Sequence, residues 1–343
     1  MRPRRMPTAG MTIRWLGRAV AAAGSLALLG TFLAGTAEAA YPGTNGLIAF
    51  VRSGNIYTIK SSGAASSLTR LTTAGSDSGP RWAPKGKRIA YLQHGNLWVM
   101  DANGSHKTRI TDAAPKFTDS RPSWSPNGNY LAFVQTHRGH KYGYLIRYSF
   151  LTRKFNAFST TVSGHLVAVA ALPAPVAWAW ALTPSGKTHS SYIAYEGAGA
   201  LCPEAPEHCL NALGFPKQSG YKNGFPAALL ISVSVTRLTD PDWYPQSPKF
   251  GVNVMTTQEH CNASGDKCKP AGLALTIGAV PVNPGAYQGV YAPTGTYIAY
   301  VVNVAGVPHV YVEIIGLATS APVNLGAGSQ PDWQPLPTKE LAG

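Results

Sequence analysis

Short apolar stretches separated by turn residues recur along the chain at intervals of about 42 residues. The two clearest copies begin at Pro80 and Pro122. Each has a tryptophan segment, a Pro-x-Gly turn, and then segments such as "RIAYL" and "YLAFV" in which apolar and polar residues alternate. This alternation predicts half-buried β-strands, and the turn predicts a hairpin. Four antiparallel strands per repeat are typical of a propeller blade, so the sequence predicts an all-β propeller.

Tracing the copies predicts six blades of four strands each. The innermost strands centre on Trp82, Trp124, Trp178 or Trp180, Trp243, Tyr291 and Trp333. Second strands are predicted at 47–51, 88–92, 130–134, 192–196, 249–254 and 297–301. Third strands are predicted at 56–60, 97–101, 144–149, 227–234, 273–277 and 310–314. Fourth strands are clear at 68–72, 107–111 and 235–239. Because the trace ends with an isolated innermost strand at 330–335, we expect this C-terminal strand to close the first blade of a single domain, 40–343.

Three innermost segments share the pattern Ser-x-Pro-x-Trp, at 78–82, 120–124 and 329–333. Together with the Pro-x-Gly turns and the "IAY" or "IAF" strands, this pattern resembles the TolB-type, WD-like propeller repeat. The resemblance covers nearly all of residues 40–343 and implies a TolB-like propeller. An aspartate precedes the serine in two copies, as Asp77 and Asp119, and we expect Asp77 to form a turn or capping hydrogen bond.

The first 39 residues have the order of a secretory signal peptide. A segment with five arginines is followed by an apolar stretch and then by Ala37-Glu38-Ala39, a small-x-small cleavage site. We therefore expect an exported protein, secreted or located in the periplasm or cell envelope; an uncleaved membrane anchor is the alternative. The first cysteine is Cys202, so no cysteine lies near the cleavage site to carry a lipid.

Charged residues make up only 13% of the chain, which contains 36 glycines and 27 prolines. The net charge is +14, of which residues 1–39 contribute +4, leaving +10 for residues 40–343. A basic surface favours acidic partners, so we expect a protein or acidic glycan of the cell envelope. No basic run marks a nucleic-acid-binding stripe, and no nucleic acid is expected as a partner outside the cell. The chain is expected to be a monomer without a membrane span after signal cleavage.

In a propeller, the connections between second and third strands emerge on the same face as those between blades. The long predicted insertions, 135–143, 160–174, 197–225 and 255–271, all fall on this face. Loops on a rigid scaffold commonly carry binding sites, so this long-loop face is the predicted binding surface. Its candidate binding residues are His94, His137, Arg138, His140, Lys141, Tyr142, His208, His260 and His309.

Three interpretations of these histidines are open. They are ordinary polar loop residues, they form a metal-binding or proton-sensitive site, or they contact a ligand individually. The segment 136–144, "THRGHKYGY", combines imidazole, cationic and tyrosine side chains, a composition that suits sugars or anionic groups. No metal and no cofactor is predicted.

The four cysteines form two pairs of equal spacing, Cys202 with Cys209 and Cys261 with Cys268. Disulfides persist in exported proteins. Two local disulfides are the simplest of the three connectivities, and each would restrain a loop. Pairing across blades and a metal site that uses the adjacent Glu-His residues are the alternatives.

The predicted function is that of a non-catalytic propeller that binds or scaffolds a protein or glycan through its long-loop face. The sequence has no Gly-x-Ser-x-Gly nucleophile elbow. The alternative, implied by the resemblance of some lyase propellers to the TolB type, is a metal-dependent polysaccharide lyase acting on an acidic polymer. A lyase needs several histidines converging over the central channel, whereas a binding module can leave them apart.

Overall fold

The computed structural model describes residues 43–113, 115–162, 165–171, 174–182, 189–197, 208–215, 227–234, 237–245, 254–261, 268–275, 285–315 and 320–337. These residues belong to one compact unit, Thr36–Gly343. They form β-strands joined by turns, with two short 3-10 helices at Ala65–Ser67 and Pro84–Gly86. No helix in this part of the chain has the length and apolar character needed to cross a membrane. The predicted signal peptide, residues 1–39, lies outside the described residues.

The strands pair antiparallel with their neighbours in sequence. In chain order they are β1 (Thr44–Arg52), β2 (Asn55–Ile59), β3 (Thr69–Arg70), β4 (Asp77–Trp82), β5 (Arg88–Gln93), β6 (Asn96–Asp101), β7 (Thr108–Arg109), β8 (Phe117–Asp119), β9 (Ser123–Trp124), β10 (Tyr130–His137), β11 (Gly143–Ser149), β12 (Phe155–Ala157), β13 (Ser159–Val162), β14 (His165–Ala168), β15 (Ala170–Ala171), β16 (Ala177–Leu182), β17 (His189–Glu196), β18 (His208–Phe215), β19 (Ala227–Ser234), β20 (Arg237–Trp243), β21 (Val254–Cys261), β22 (Cys268–Leu275), β23 (Tyr287–Tyr291), β24 (Tyr297–Val304), β25 (Val307–Ile314), β26 (Val323–Ala327) and β27 (Ser329–Leu336).

Six sheets of three or more strands, numbered here in chain order, are formed by the described residues. Sheet 1 has the order β27-β1-β2-β3, sheet 2 β4-β5-β6-β7, sheet 4 β16-β17-β18-β19, sheet 5 β20-β21-β22 and sheet 6 β23-β24-β25-β26. In sheet 3, β10 pairs with β8, β9 and β11, and β11 also pairs with β12 and β15; β13 and β14 form a separate hairpin. The predicted all-β propeller fold is confirmed, while the count of six blades stays a prediction for the whole chain.

The first sheet joins two distant parts of the chain. β27 pairs with β1, so that Ile48 lies opposite Trp333 and Ala49 opposite Asp332. The Leu47 N–H also donates a hydrogen bond of 3.0 Å to a side-chain oxygen 287 residues away in β27. The predicted closure of the first blade by a C-terminal strand is therefore confirmed, and β1 has partners on both sides.

Each sheet packs between two neighbours, so its strands are apolar on both faces. In β5, for example, the consecutive residues Ile89, Ala90 and Tyr91 are all fully buried. Buried clusters of this kind join sheets 1 and 2, 2 and 3, 3 and 4, 4 and 5, 5 and 6, and 6 and 1. The inner-strand aromatic residues contribute to these clusters. In sheet 4, Trp178 is buried, and the side chain of Trp180 lies outside what the structure describes.

Three strand predictions in sheets 4 and 5 are wrong. The segment Ala227–Ser234 is the fourth strand of sheet 4 rather than the third, because β18 lies between it and β17. Residues 237–239, predicted in a fourth strand, begin the inner strand of sheet 5. The second strand of that sheet is Val254–Cys261 rather than 249–254.

The predicted insertions in this region are also partly strands. The range 160–174 contains β14 and β15, the range 197–225 contains β18, and the range 255–271 is largely the hairpin of β21 and β22. In β18, "HCLNALGF" has glycine and asparagine among its apolar residues, so the alternation that marks a strand is weak. Prediction of strands from the local sequence pattern therefore fails where the repeat has lost its turn and strand signals.

Candidate functional site

The hairpin between the second and third strands differs among the sheets. In sheets 1, 2 and 6 it is a two-residue turn with positive φ at both positions: Ser53-Gly54, His94-Gly95 and Ala305-Gly306. Such turns match the twist of the flanking strands and favour glycine at the second position. In sheet 3 the hairpin is longer, because β10 ends at His137 and β11 begins only at Gly143. Among the four sheets whose hairpin is fully described, sheet 3 is therefore the one that extends the long-loop face.

The longer hairpin of sheet 3 forms a groove with the neighbouring chain. β8 pairs with the end of β10, placing Phe117 opposite His137, and β15 pairs with the start of β11, placing Ala170 opposite Tyr144. The groove has a volume of about 280 Å³, close to the lower end of the range of about 300–1,000 Å³ for small-molecule sites. It is lined by Phe117, Gln135, His137, His140, Tyr142, Gly143, Tyr144 and Ile146.

Three aromatic side chains of this groove are exposed to solvent: Phe117 by 36%, Tyr142 by 39% and Tyr144 by 57%. The Phe117 ring packs edge-on against His137, with ring centroids 5.2 Å apart. The His137 ring in turn lies 4.8 Å from that of His140. A group of exposed apolar rings with polar neighbours is typical of a binding surface.

The tip of the hairpin is a turn that fixes the ring of His137. The His140 N–H donates a 3.0 Å hydrogen bond to the His137 carbonyl oxygen, and Gly139 has a φ of +83°. Glycine with positive φ at the third position is typical of a type II turn. The His137 Nδ1 lies 3.0 Å from the carbonyl oxygen of Arg138. Since a carbonyl oxygen can only accept, Nδ1 carries the hydrogen, and Nε2 is the unprotonated nitrogen of the neutral ring.

Gln135, which also lines the groove, is held by a buried carboxyl group. Its Nε2 donates a 2.9 Å hydrogen bond to Asp119 Oδ1, while Thr111 Oγ1 donates to Asp119 Oδ2. Burial raises the pKa of Asp119 above its usual value. A side chain at Gly143 would collide with Thr136 and with the Gln135 carbonyl, so glycine allows β10 and β11 to approach closely here.

The same aspartate–glutamine contact occurs in sheet 2. Gln93 lies opposite Asp77 in the register, and its Nε2 donates a 2.9 Å hydrogen bond to Asp77 Oδ1. The prediction that Asp77 forms a turn or capping bond is therefore wrong. This residue instead bonds across the inner and second strands, as Asp119 does in sheet 3.

Cationic residues lie on the segments that form the groove. Lys116, Arg138 and Lys141 are all exposed, and the Lys141 Nζ lies 5.3 Å from the centre of the Tyr142 ring. The ranges 115–118 and 135–147 contain no aspartate or glutamate. The groove is thus electropositive, which favours ligands with anionic groups.

Three of the nine predicted binding residues line this groove, His137, His140 and Tyr142, and Arg138 and Lys141 lie on the same hairpin. Their proximity follows from one hairpin. Three other predicted histidines lie in other sheets, His94 in the hairpin turn of sheet 2, His260 on β21 and His309 on β25. His208 begins β18, and its side chain lies outside what the structure describes.

The cysteine pair of sheet 5 forms a disulfide. Cys261 and Cys268 lie opposite each other where β21 and β22 meet, and their sulfur atoms are bonded. One of the two predicted local disulfides is therefore confirmed, and a cross-blade pairing or a thiolate metal site is excluded for this pair. Together with Glu259 these cysteines are the potential metal-ligand group found among the described residues, and no histidine belongs to it. The other predicted disulfide includes Cys202, which lies outside the described residues.

A second polar group, which we did not predict from the sequence, lies on the inner strands. Arg81 Nη1 is 2.8 Å from Asp332 Oδ1 and 3.9 Å from Asp242 Oδ1. Arg121 Nη2 is 3.0 Å from Asp240 Oδ1. We call these five side chains the central cluster. A cavity of about 50 Å³ lies beside it, with Arg81, Asp242 and Asp332 in its wall, and this volume is enough for a few water molecules.

The residue just before the inner-strand aromatic residue links adjacent sheets. In three sheets its side chain accepts a hydrogen bond from the backbone N–H of the aromatic residue in the next sheet: Asp332 from Trp82 at 2.6 Å, Ser123 from Trp178 at 2.9 Å and Asp242 from Tyr291 at 2.8 Å. These bonds join sheets 1 to 2, 3 to 4 and 5 to 6. The central cluster is therefore a structural element of the ring, whereas the groove lies on the exposed hairpin of sheet 3.

Burial shifts the ionisation of the central cluster. It raises the pKa of Asp242 to about 7 and that of Asp332 above its usual value. Burial, with the neighbouring Arg81, lowers the pKa of Arg121 to about 10. Because the cluster contains one more carboxyl group than it has guanidinium groups, a proton on Asp242 reduces the uncompensated negative charge.

Replacing Asp242 with asparagine is expected to make the stability less dependent on pH. The folded protein, with a pKa of about 7 at Asp242, binds a proton that the unfolded chain, with a pKa near 3.8, has released. The stability that Asp242 contributes to the wild-type protein is therefore lost as the pH rises from about 4 to about 7. Asparagine does not ionise and can still accept from the Tyr291 N–H. We compare the free energy of unfolding of the variant with that of the wild type. We expect this difference to shift in favour of the variant by about 2 kcal/mol between pH 5 and pH 8.

Urea denaturation of both proteins at pH 5 and pH 8 measures this difference directly. Histidines and other titrating groups are common to the two proteins, so their contributions cancel in the comparison. A difference in stability that is the same at both pH values would contradict the ionisation assigned to Asp242.

No protein-family model matches the chain, and no curated protein sequence matches it either. Among solved structures, TolB from Acinetobacter baumannii is similar with a TM-score of 0.56 and 14% identity, over 84% of this chain and 67% of that one. A chain of the nidogen/laminin complex has a TM-score of 0.54 and 6% identity, over 85% of this chain and 99% of that one. An oligogalacturonate lyase from Vibrio parahaemolyticus has a TM-score of 0.45 and 11% identity, over 82% and 91%. At these identities the likeness shows a TolB-like propeller fold.

Proposed function

We propose that this TolB-like propeller is an exported, non-catalytic binding module that recognises a glycan in the groove of sheet 3. The supporting observation is the set of exposed rings of Phe117, Tyr142 and Tyr144 around a groove of about 280 Å³. Sugar rings have apolar C–H faces that pack on aromatic rings, and their hydroxyl groups need polar partners. Gln135 and the two groove histidines supply such partners.

The position of the groove suits a binding role. It lies on a hairpin that extends from a sheet whose inner part is packed against both neighbours, so the ligand-binding rings are held on a rigid support. The candidate histidines of sheets 2, 5 and 6 lie apart from it. The lyase alternative requires several histidines that converge over the central channel, whereas His94, His260 and His309 lie in three different sheets.

Replacing Tyr142 and Tyr144 with alanine together is expected to weaken glycan binding about tenfold or more, because both stacking surfaces are lost. Binding would be measured by calorimetry with the residue 40–343 protein and a panel of neutral and acidic polysaccharides. Phe155→Ala is the matched control, since Phe155 is an exposed aromatic residue of the same sheet that does not line the groove.

The double tyrosine variant should keep nearly the wild-type urea denaturation curve, because neither residue is buried in the core: Tyr142 is 39% and Tyr144 57% exposed. Wild-type affinity in the double variant would contradict the groove as the binding site. Failure of the wild-type protein to bind any polysaccharide of the panel would contradict the proposed function itself.

A further inference from the structure

We infer that the glycan bound in this groove is a polyuronate, and that its carboxylates are bound more tightly when His137 is protonated. This inference rests on the proposed glycan-binding function and specifies the chemical class of the ligand. It is carried by the charges around the groove and by the orientation of one imidazole ring.

The charged residues on the segments that form the groove, 115–118 and 135–147, are all cationic. Lys116 precedes β8, and Arg138 and Lys141 lie in the hairpin between β10 and β11. The nearest carboxyl group along the chain, Asp119, is buried and accepts hydrogen bonds from Gln135 and Thr111, away from solvent. These segments therefore offer several cations and no exposed carboxylate to the carboxylate of a uronate. A neutral sugar has no charge with which these cations could interact.

His137 can bind a carboxylate in only one of its charge states. Its Nδ1–H is directed to the Arg138 carbonyl oxygen, which leaves Nε2 free. In the neutral ring Nε2 is an acceptor, and a carboxylate is also an acceptor, so the two cannot form a hydrogen bond. In the protonated ring Nε2 becomes a charge-assisted donor. Histidine side chains commonly change charge between about pH 5 and pH 8.

The groups facing His137 make its protonation depend on the ligand. The rings of Phe117 on β8 and of His140 pack against the His137 ring, and the exposed cations Lys116, Arg138 and Lys141 lie on the same segments as these two rings. A bound carboxylate would favour the protonated form of the His137 ring. Ligand binding and proton uptake are thus expected to promote each other.

The chemistry favours a carboxylate over a sulfate ester. A carboxylate adds a flat two-oxygen group to the edge of the sugar and matches the planar guanidinium of Arg138. It also leaves the faces of the sugar ring free for Phe117 and Tyr144. A sulfate ester is larger and fits less readily beside a sugar in a groove of about 280 Å³.

The test compares alginate, a polyuronate, with the same polymer after its carboxyls have been reduced to alcohols. Binding to the residue 40–343 protein is measured by calorimetry at pH 5.5 and at pH 7.5, which bracket the usual range of histidine titration. We expect alginate to bind about tenfold more tightly than the reduced polymer. We also expect its affinity to be about fivefold higher at the lower pH, with proton uptake on binding.

Two variants separate His137 from the other histidines. His137→Gln should still bind alginate but lose the pH dependence, because glutamine has no titrating group. His106→Gln, at an exposed position of sheet 2 away from the groove, should behave as wild type. A pH dependence that survives in His137→Gln would overturn the role of this residue.

The choice of polymers also distinguishes failure of the polyuronate inference from failure of the proposed glycan-binding function. Equal affinity for alginate and the reduced polymer would overturn the polyuronate inference but support glycan binding. Equal or tighter binding of dextran sulfate would overturn the preference for carboxylates. Binding of none of these polymers, nor of any in the wider panel, would contradict the proposed function as well.

Discussion

Replacing Arg81 with methionine is expected to lower the free energy of unfolding by about 3–5 kcal/mol. The guanidinium of Arg81 is buried and lies 2.8 Å from Asp332 and 3.9 Å from Asp242. Methionine keeps much of the side-chain volume but leaves these two acidic groups without the cation between them. Since domains are typically stable by only about 5–15 kcal/mol, this loss would be a large part of the total.

The measurement is urea denaturation followed by tryptophan fluorescence, with Arg70→Met as the matched control. Arg70 is an exposed arginine on the outer strand β3, whose guanidinium lies 6.0 Å from the Tyr57 ring. Its replacement is expected to cost less than about 1 kcal/mol. Equal losses for the two variants would contradict the role given to the central cluster.

A double variant tests whether unpaired charge causes the loss. Asparagine at position 332 does not ionise and can still accept the hydrogen bond from the Trp82 N–H. Arg81→Met combined with Asp332→Asn is therefore expected to be more stable than Arg81→Met alone. A further loss of stability in the double variant would show that lost packing, and not the uncompensated carboxylate, explains the first result.

Replacing Arg237 with methionine is expected to cost about 3 kcal/mol. Its Nε lies 2.9 and 3.0 Å from the two carboxylate oxygens of Glu196, whose side chain is fully buried, and its Nη1 lies 3.5 Å from Glu259. The pair joins β17 of sheet 4 to β20 of sheet 5. Removing the guanidinium takes both of these hydrogen bonds away from the buried carboxylate of Glu196.

The control for this second variant is Arg109→Met, which removes an exposed ion pair with Asp112. Surface pairs of this kind contribute about 0–1 kcal/mol. Thermal unfolding of the three proteins at equal concentration would compare them, and a midpoint for Arg237→Met within error of that for Arg109→Met would contradict the prediction.

The sequence predicted the fold best where the repeat is intact. In sheets 2 and 3 the motif around Trp82 and Trp124 is followed by a Pro-x-Gly turn and an alternating strand, so strand order follows from local signals alone. In sheets 4 and 5 the long connections and the weak alternation of β18 remove those signals. The order of strands there depends on pairing between segments that are distant in sequence, and one-dimensional patterns do not record such pairing.

In the candidate site, too, the residues predicted from the sequence are those that a local signal brings together. His137, His140 and Tyr142 were predicted because they share one short hairpin. Phe117 was missed because it reaches the groove only through the register of β8 with β10. The aspartate before the Ser-x-Pro-x-Trp motif, paired with Gln135 sixteen residues later, could have indicated that register.

The pairing of the central cluster had no comparable signal in the sequence. Arg81 and Asp332 are 251 residues apart, and although each stands just before the tryptophan of a Ser-x-Pro-x-Trp motif, the motif does not say which copies come into contact. Only closure of the ring brings inner strands of different sheets together, so buried ion pairs at the axis follow from the fold and not from a motif.

The pairing of β27 with β1 also sets the order of events in folding. During synthesis from the N-terminus, β1, β2 and β3 are present long before β27. The edge of β1 that pairs with β27 therefore stays unpaired until the end of the chain is made. The entropic cost of joining segments so far apart grows only slowly with their separation, but such distant contacts form late. We therefore expect ring closure to be a late step of folding, and we expect chaperones or a neighbouring chain to compete with β27 for the unpaired edge of β1 in the nascent protein.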